Sequence, residues 1–220
     1  MEDAVARAAG LREYAEHTAD CTKCTLAAGR TQVVFGSGNP DADLMFVGEA
    51  PGFHEDQQGV PFVGQAGKLL ERLLEGIGLS RADVYIANVL KCRPPGNRDP
   101  LAEEIAACEP HLFRQIELIE PALVATLGNF ATKLLSGRPA GITRVHGHEQ
   151  EVTLGTRQVS LYPLYHPAAA LYTPSMLKVL EEDFSRIPDL LDRPRLEPAP
   201  AEERMVTVEA EPDSVQLGLF

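Results

Sequence analysis

The sequence predicts an α/β protein, a three-layer α/β/α arrangement around a central, mainly parallel four-stranded sheet. Three observations predict it. Four short apolar runs, at 43–49, 83–90, 121–127 and 158–164, alternate with helix-length stretches. Strands that alternate with helices pair in parallel and carry helices on both faces of the sheet. The runs are bounded by Gly, Pro and Asn, which punctuate turns. With 220 residues and 44% apolar content, the chain can bury one sizeable core.

The elements follow in order. Residues 2–17 are rich in Ala, Glu and Arg with no Pro and predict a helix. The run at 43–49 predicts a buried strand ending in the tight turn Ala50-Pro51-Gly52. Leu69, Leu70, Leu73, Leu74 and Ile77 recur at helical spacing and predict an amphipathic helix ending near Gly76 and Gly78. A second strand is expected at 83–90, then a helix over 101–117 with Pro100 at its first position. A third strand at 121–127 runs through Gly128-Asn129 into a helix to 135; a fourth strand at 158–164 and a helix over 175–191 complete the domain. Residues 194–220 differ in character, with four Pro, six acidic and two basic residues. They are expected to be a disordered acidic tail, so the folded domain is expected to span 1–193.

Charge and composition exclude several classes. Twenty basic against 32 acidic residues leave a net charge of −12, which disfavours a protein that coats nucleic acid electrostatically, while leaving room for a small basic face. No apolar run approaches the roughly 18 residues of a membrane span, so no membrane association is expected. The start Met1-Glu2-Asp3 is acidic where a secretory leader is basic, so a cytoplasmic location is expected, and a monomer is the expected state.

Cys21 and Cys24 form a C-x2-C pair, with Cys92 and Cys108 following at wide spacing. Four cysteines in a reducing compartment point away from disulfides and toward a metal or cluster. Zinc sites take a second close pair, which is lacking, so the spacing leans toward an iron–sulfur cluster; buried reduced thiols without metal are the other reading. In open α/β sheets ligands sit beyond the carboxyl ends of the strands. That rule selects Gly48-Glu49-Ala50-Pro51-Gly52 with Pro61-Phe62-Val63-Gly64, then Asn88 through Asn97, and His166-Pro167-Ala168. Phe62 offers a flat face for stacking or fills the core. The Asn88 amide can read a base edge or cap a strand end. His166 is a candidate for chemistry or a structural histidine. Glu49 is the carboxylate of the first loop or a helix-entry residue.

Together these motifs resemble the family 4 uracil-DNA glycosylases, bacterial and archaeal repair enzymes, over residues 21–191. The resemblance implies a [4Fe–4S] cluster on Cys21, Cys24, Cys92 and Cys108, and uracil-containing DNA as substrate. It implies extrusion of the base and hydrolysis of its N-glycosidic bond. Gly48, Ala50, Phe62, Asn88 and His166 are then expected to hold uracil, with Glu49 and His166 catalytic. Lys91, Arg93 and Arg98 are expected on phosphates. Leu171 is expected to be the wedge that fills the vacated stack, or else a core residue anchoring its helix. A covalent-bonding subtype with an extra basic loop is rejected, since 92–108 holds neither insertion nor His. A catalytically inert cluster-bearing module is the rival from another class. The last residues, Gln216, Leu217, Gly218, Leu219 and Phe220, resemble the pentapeptide that binds the bacterial sliding clamp, departing at Gly218.

Overall fold

The computed structural model describes residues 2–194. The tail with its expected clamp peptide, Gln216, Leu217, Leu219 and Phe220, lies outside the described residues. The sheet is mixed and six-stranded, not the mainly parallel four-stranded sheet expected from sequence. Its strands are β1 (Ser37–Gly38), β2 (Leu44–Gly48), β3 (Tyr85–Asn88), β4 (Leu123–Leu127), β5 (Gln150–Leu154) and β6 (Arg157–Leu164), in the order β1-β3-β2-β4-β6-β5. The inner four strands, β3, β2, β4 and β6, pair in parallel, and each edge strand pairs antiparallel.

The added edges have physical reasons. An apolar run marks a strand buried on both faces, which is what β2 and β4 are. Strand β5 is the sequence Gln-Glu-Val-Thr-Leu, with alternating burial because one face meets solvent. It reaches β6 through the two-residue turn Gly155-Thr156, where Gly155 takes φ +62°. Strand β1 is only Ser-Gly; a Cβ on Gly38 would sit 2.0 Å from the Val84 carbonyl oxygen.

The layering is α/β/α, as expected. Alternate residues of β2 divide between two cores. Leu44 and Phe46 pack with Leu69, Leu70, Leu73 and Leu74 of the helix Gln65–Gly76 and with Leu180 and Phe184 of Pro174–Ser185. Met45 and Val47 face Leu112, Ile116 and Ile119 of Ala102–Ile119, with Ala131 and Leu135 of Asn129–Ser136 and Leu11 of Glu2–Ala19. The helix Ala102–Ile119 starts after Leu101, whose N–H donates to Glu104 Oε2 (2.9 Å), so Pro100 precedes the cap instead of opening the helix. The last helix is two, Pro174–Ser185 and Ile187–Leu191. Pro188 has no N–H to donate back into the first, which ends the ladder there.

The parallel core sends every β-to-helix loop to one edge. After β2 the chain runs into a short helix, Phe53–Gln58, and Gly59 closes it at φ +71°. After β6 it enters another, Pro167–Ala170. These loops meet those after β3 and β4.

Candidate active site

At that edge lies a cavity of about 500 Å³. Glu49, Ala50, Phe62, Asn88, Arg98 and His166 all line it, although they come from three separate loops. Gly48 supports it from behind, because a Cβ there would fall 2.4 Å from Asn88 Oδ1 and 2.7 Å from the Phe62 ring. Glycine is what lets both side chains close on the end of β2.

Asn88 is 2% exposed and ends β3. Its Oδ1 is buried and has no hydrogen-bond partner. A buried acceptor left unpaired costs free energy, so the position suits a ligand that brings a donor. Lys91, expected on phosphate, is instead 1% exposed in the interior. Its Nζ donates to the Asn88 carbonyl oxygen (2.7 Å) and to Gln115 Oε1 (2.5 Å), and burial pushes the ammonium down to about 7. It holds the backbone that carries Asn88.

His166 is the N-cap of Pro167–Ala170. The Ala168 N–H donates to its Nδ1 (3.1 Å), so that nitrogen carries no proton and Nε2 carries it. Burial pushes the imidazole down to about 4, which keeps it neutral near pH 7. Its ring stacks on Phe62 with centroids 5.6 Å apart. Phe62 sits at φ +55°, a strained backbone for a side-chain-bearing residue. Arg81 holds it there, donating to the carbonyl oxygens of Pro61 (2.6 Å) and Phe62 (2.9 Å). Glu55, which sequence reasoning missed, also lines the cavity; its Oε1 accepts from the N–H groups of Val63 and Gly64, each at 2.9 Å. No motif announced Glu55 or Arg81, because both act on backbone groups brought close only by the fold. Burial, with the charge of Asp99 adding to it, holds the Glu49 carboxyl above its ordinary value.

Of the remaining expected residues, Arg98 lines the cavity and Arg93 adjoins Pro94 of its wall. Arg98 pairs with Glu104 (2.5 Å). Arg93 Nε donates to Asn97 Oδ1 (2.7 Å). Leu171 is 36% exposed beyond the helix that carries His166, so it is not a buried anchor.

The cluster expectation is corrected. Cys21, Cys24, Cys92 and Cys108 border a space of only about 10 Å³, about the room of one water. Among the described residues no group of three or more His, Cys, Asp or Glu side chains is arranged to hold a metal ion. Three of the thiols have other polar neighbours. The Lys91 N–H donates to Cys108 Sγ (3.2 Å), Arg30 to Cys92 Sγ (3.6 Å), and Cys21 Sγ lies 3.3 Å from His111 Nε2. Burial pushes the Cys92 thiol up to about 11 and raises that of Cys108. Cys92 and Cys108 pack with Leu26 and Leu90 as small apolar groups. The residues do not fit a [4Fe–4S] cluster here.

The chain that forms this cavity, walled by an aromatic ring, a buried amide, a neutral histidine and a carboxylate at the carboxyl ends of parallel strands, belongs to the uracil DNA glycosylase superfamily. The sequence profile of that superfamily matches residues 35–187. The chain is 47% identical over 190 residues to a type-4 uracil-DNA glycosylase of Sulfurisphaera tokodaii, covering 84% of this chain and 86% of that protein. It is 44% identical over 174 residues to the type-4 enzyme of Thermotoga maritima, covering 78% and 89%. A type-5 uracil-DNA glycosylase of Pyrobaculum aerophilum is more distant, at 33% over 146 residues, 60% of this chain and 63% of that one. The chain belongs to the type-4 uracil-DNA glycosylases. Membership in an enzyme family sets aside the inert-module reading. Among the described residues no helix is long and apolar enough to cross a membrane.

Proposed function

We propose that the cavity holds uracil extruded from DNA while the bond between C1′ and N1 is hydrolysed. The chain is a glycosylase of base excision repair, releasing free uracil and leaving an abasic site. The observation that carries the residue assignment is the buried Asn88 Oδ1, left without a hydrogen-bond partner on a residue that lines the same cavity as His166. Uracil supplies an N3–H donor to that oxygen and an O4 acceptor to the amide nitrogen. Cytosine presents the reverse pattern, an acceptor at N3 and a donor at C4. It leaves Asn88 mismatched in a dry site, and sites built on such polar pairing reject the wrong partner by about 10⁴-fold.

The reaction then needs few moving parts. Phe62 stacks on the ring, with Gly48 and Ala50 forming the close backbone wall. As the glycosidic bond breaks, its electron pair leaves with uracil, and His166 donates from Nε2 to O2, where negative charge gathers. A preorganised donor of this kind contributes roughly 3–4 kcal/mol to the transition state. Glu49 stabilises the cationic sugar and orients the water that adds to C1′, taking its proton. Leu171 fills the vacated stack, and Arg93 and Arg98 meet phosphates at the mouth. The protein acts as a cytoplasmic monomer, and its terminal Gln216, Leu217, Leu219 and Phe220 dock on the sliding clamp. Deleting 216–220 is expected to abolish clamp pull-down and leave excision intact; unchanged pull-down ends that assignment.

The central test uses single strands carrying uracil, thymine or cytosine at one position, scored for alkali-labile sites. Cleavage is expected at uracil alone, lost in His166→Ala and in Asn88→Asp. Full uracil excision with strict rejection of cytosine by Asn88→Asp would overturn the assignment of base reading to this residue.

A further inference from the structure

The cavity accounts for the extruded base, and it leaves one feature of its rim unused. Phe53 opens the short helix after β2 and is 52% exposed. The residue before it, Gly52, lines the cavity. The Arg93 guanidinium lies over its ring, 5.2 Å from the centroid, and the ring of His54 meets it edge-on with centroids 5.5 Å apart. Arg93 is itself fixed, because its Nε donates to Asn97 Oδ1, and Asn97 and Pro94 are both part of the cavity wall. An exposed aromatic ring thus stands one residue from the cavity wall, with a guanidinium over it that makes no ion pair among the described residues.

We propose that Phe53 and Arg93 form a stacking platform for the nucleobase adjacent to the uracil, holding the neighbouring nucleotide of the substrate strand against the cavity rim. The inference rests on the glycosylase reading of the cavity and names where the flanking strand is gripped. An aromatic face accepts any base, because every base has a π-face, and an adjacent guanidinium complements both the ring and the phosphate that follows. Such a grip is available to a single strand, whose bases are free to stack on protein. It adds affinity without touching the reacting bond, so it acts on binding and not on the saturated rate.

The chain contains no tryptophan, so Phe53→Trp installs the only indole at the platform, excited selectively at wavelengths beyond the tyrosine band. A short single strand carrying a tetrahydrofuran abasic analogue is expected to quench it when ordinary bases flank the analogue. Quenching is expected to vanish when both flanking positions are abasic too. In parallel, Phe53→Ala and Phe53→Leu are expected to raise the Kd and the KM for uracil-containing single strands about tenfold, as loss of one stacked base does. Their single-turnover rate at saturating DNA, and their inhibition by free uracil, are expected to stay at the wild-type level. Phe53→Trp is expected to keep wild-type affinity. Quenching that ignores the flanking bases, or wild-type affinity in both the Ala and Leu variants, overturns the platform. So does a fall in the saturated rate, which would put Phe53 among the groups acting on the bond. Absence of excision by the wild-type protein on the same strand would instead refute the reading of the cavity.

Discussion

Replacing His166 with Leu tests the neutral, Nε2-protonated imidazole on which the proposed chemistry depends. Burial lowers this group from 6.5 in its ordinary state to about 4 in the fold. Between those values the unfolded chain binds a proton that the folded chain does not, so stability rises with pH across the window. The stabilisation is whole above pH 6.5 and is lost as pH falls toward 4. A gap of about 2.5 units at roughly 1.4 kcal/mol per unit gives about 3 kcal/mol. Urea denaturation at about pH 7.5 and about pH 4.5 measures it. The wild type is expected to lose about 2–3 kcal/mol more than His166→Leu between the two conditions. His111, which burial also lowers to about 4, titrates in both proteins and cancels in the difference. The same variant lacks the Nε2–H and is expected to excise uracil about 10²–10³-fold more slowly at neutral pH. Equal loss of stability in the two proteins would show that the imidazole titrates as an open surface histidine. Excision within about threefold of wild type would remove it from the reaction.

Because burial raises the Glu49 carboxyl, excision should fall as pH drops through a value above the ordinary carboxylate range. A pH–rate profile of Glu49→Gln should lack that acid limb, and a retained limb would assign it elsewhere. Lys91→Met strands the Asn88 carbonyl and Gln115 Oε1, a loss of about 1–3 kcal/mol in stability with slower excision. Its DNA affinity and salt dependence should match the wild type, since Lys91 is buried; a shallower salt slope would show that it reaches phosphate. Gly48→Ala drives a methyl into Asn88 and Phe62, and overpacking of this kind costs about 1–3 kcal/mol. Its excision should fall more steeply than its thermal stability, and wild-type excision would mean the two side chains are free to move aside.

The local pattern of the chain carries much of the design. Runs such as Leu44–Gly48 and Leu123–Leu127 mark themselves as buried strands, because a strand covered on both faces must be apolar at every position. Gly48, Asn88 and His166 were readable as residues of the cavity edge because each ends or closely follows such a strand, and parallel topology sends those ends to one edge. The family, too, was legible in its motifs. Strands β1 and β5 were not, since an edge strand with one wet face shows only weak alternation and Ser-Gly shows none. The cysteines illustrate the limit of spacing. Four thiols in a suggestive order specify a metal site only if the fold leaves room and open ligands. Here the backbone N–H of Lys91, the Arg30 guanidinium and His111 meet them instead. Lys91 makes the same point for charge, because a lysine between a strand end and a cysteine reads as a surface cation until the helix Ala102–Ile119 closes over it with Gln115. Local sequence determines what a segment prefers to be, since propensity and hydrophobic period act over a few residues. Only the tertiary structure decides what each polar group meets. Pairs such as Lys91 with Gln115, Arg81 with Phe62, and Arg93 with Phe53 are made by packing between segments that carry no code for one another.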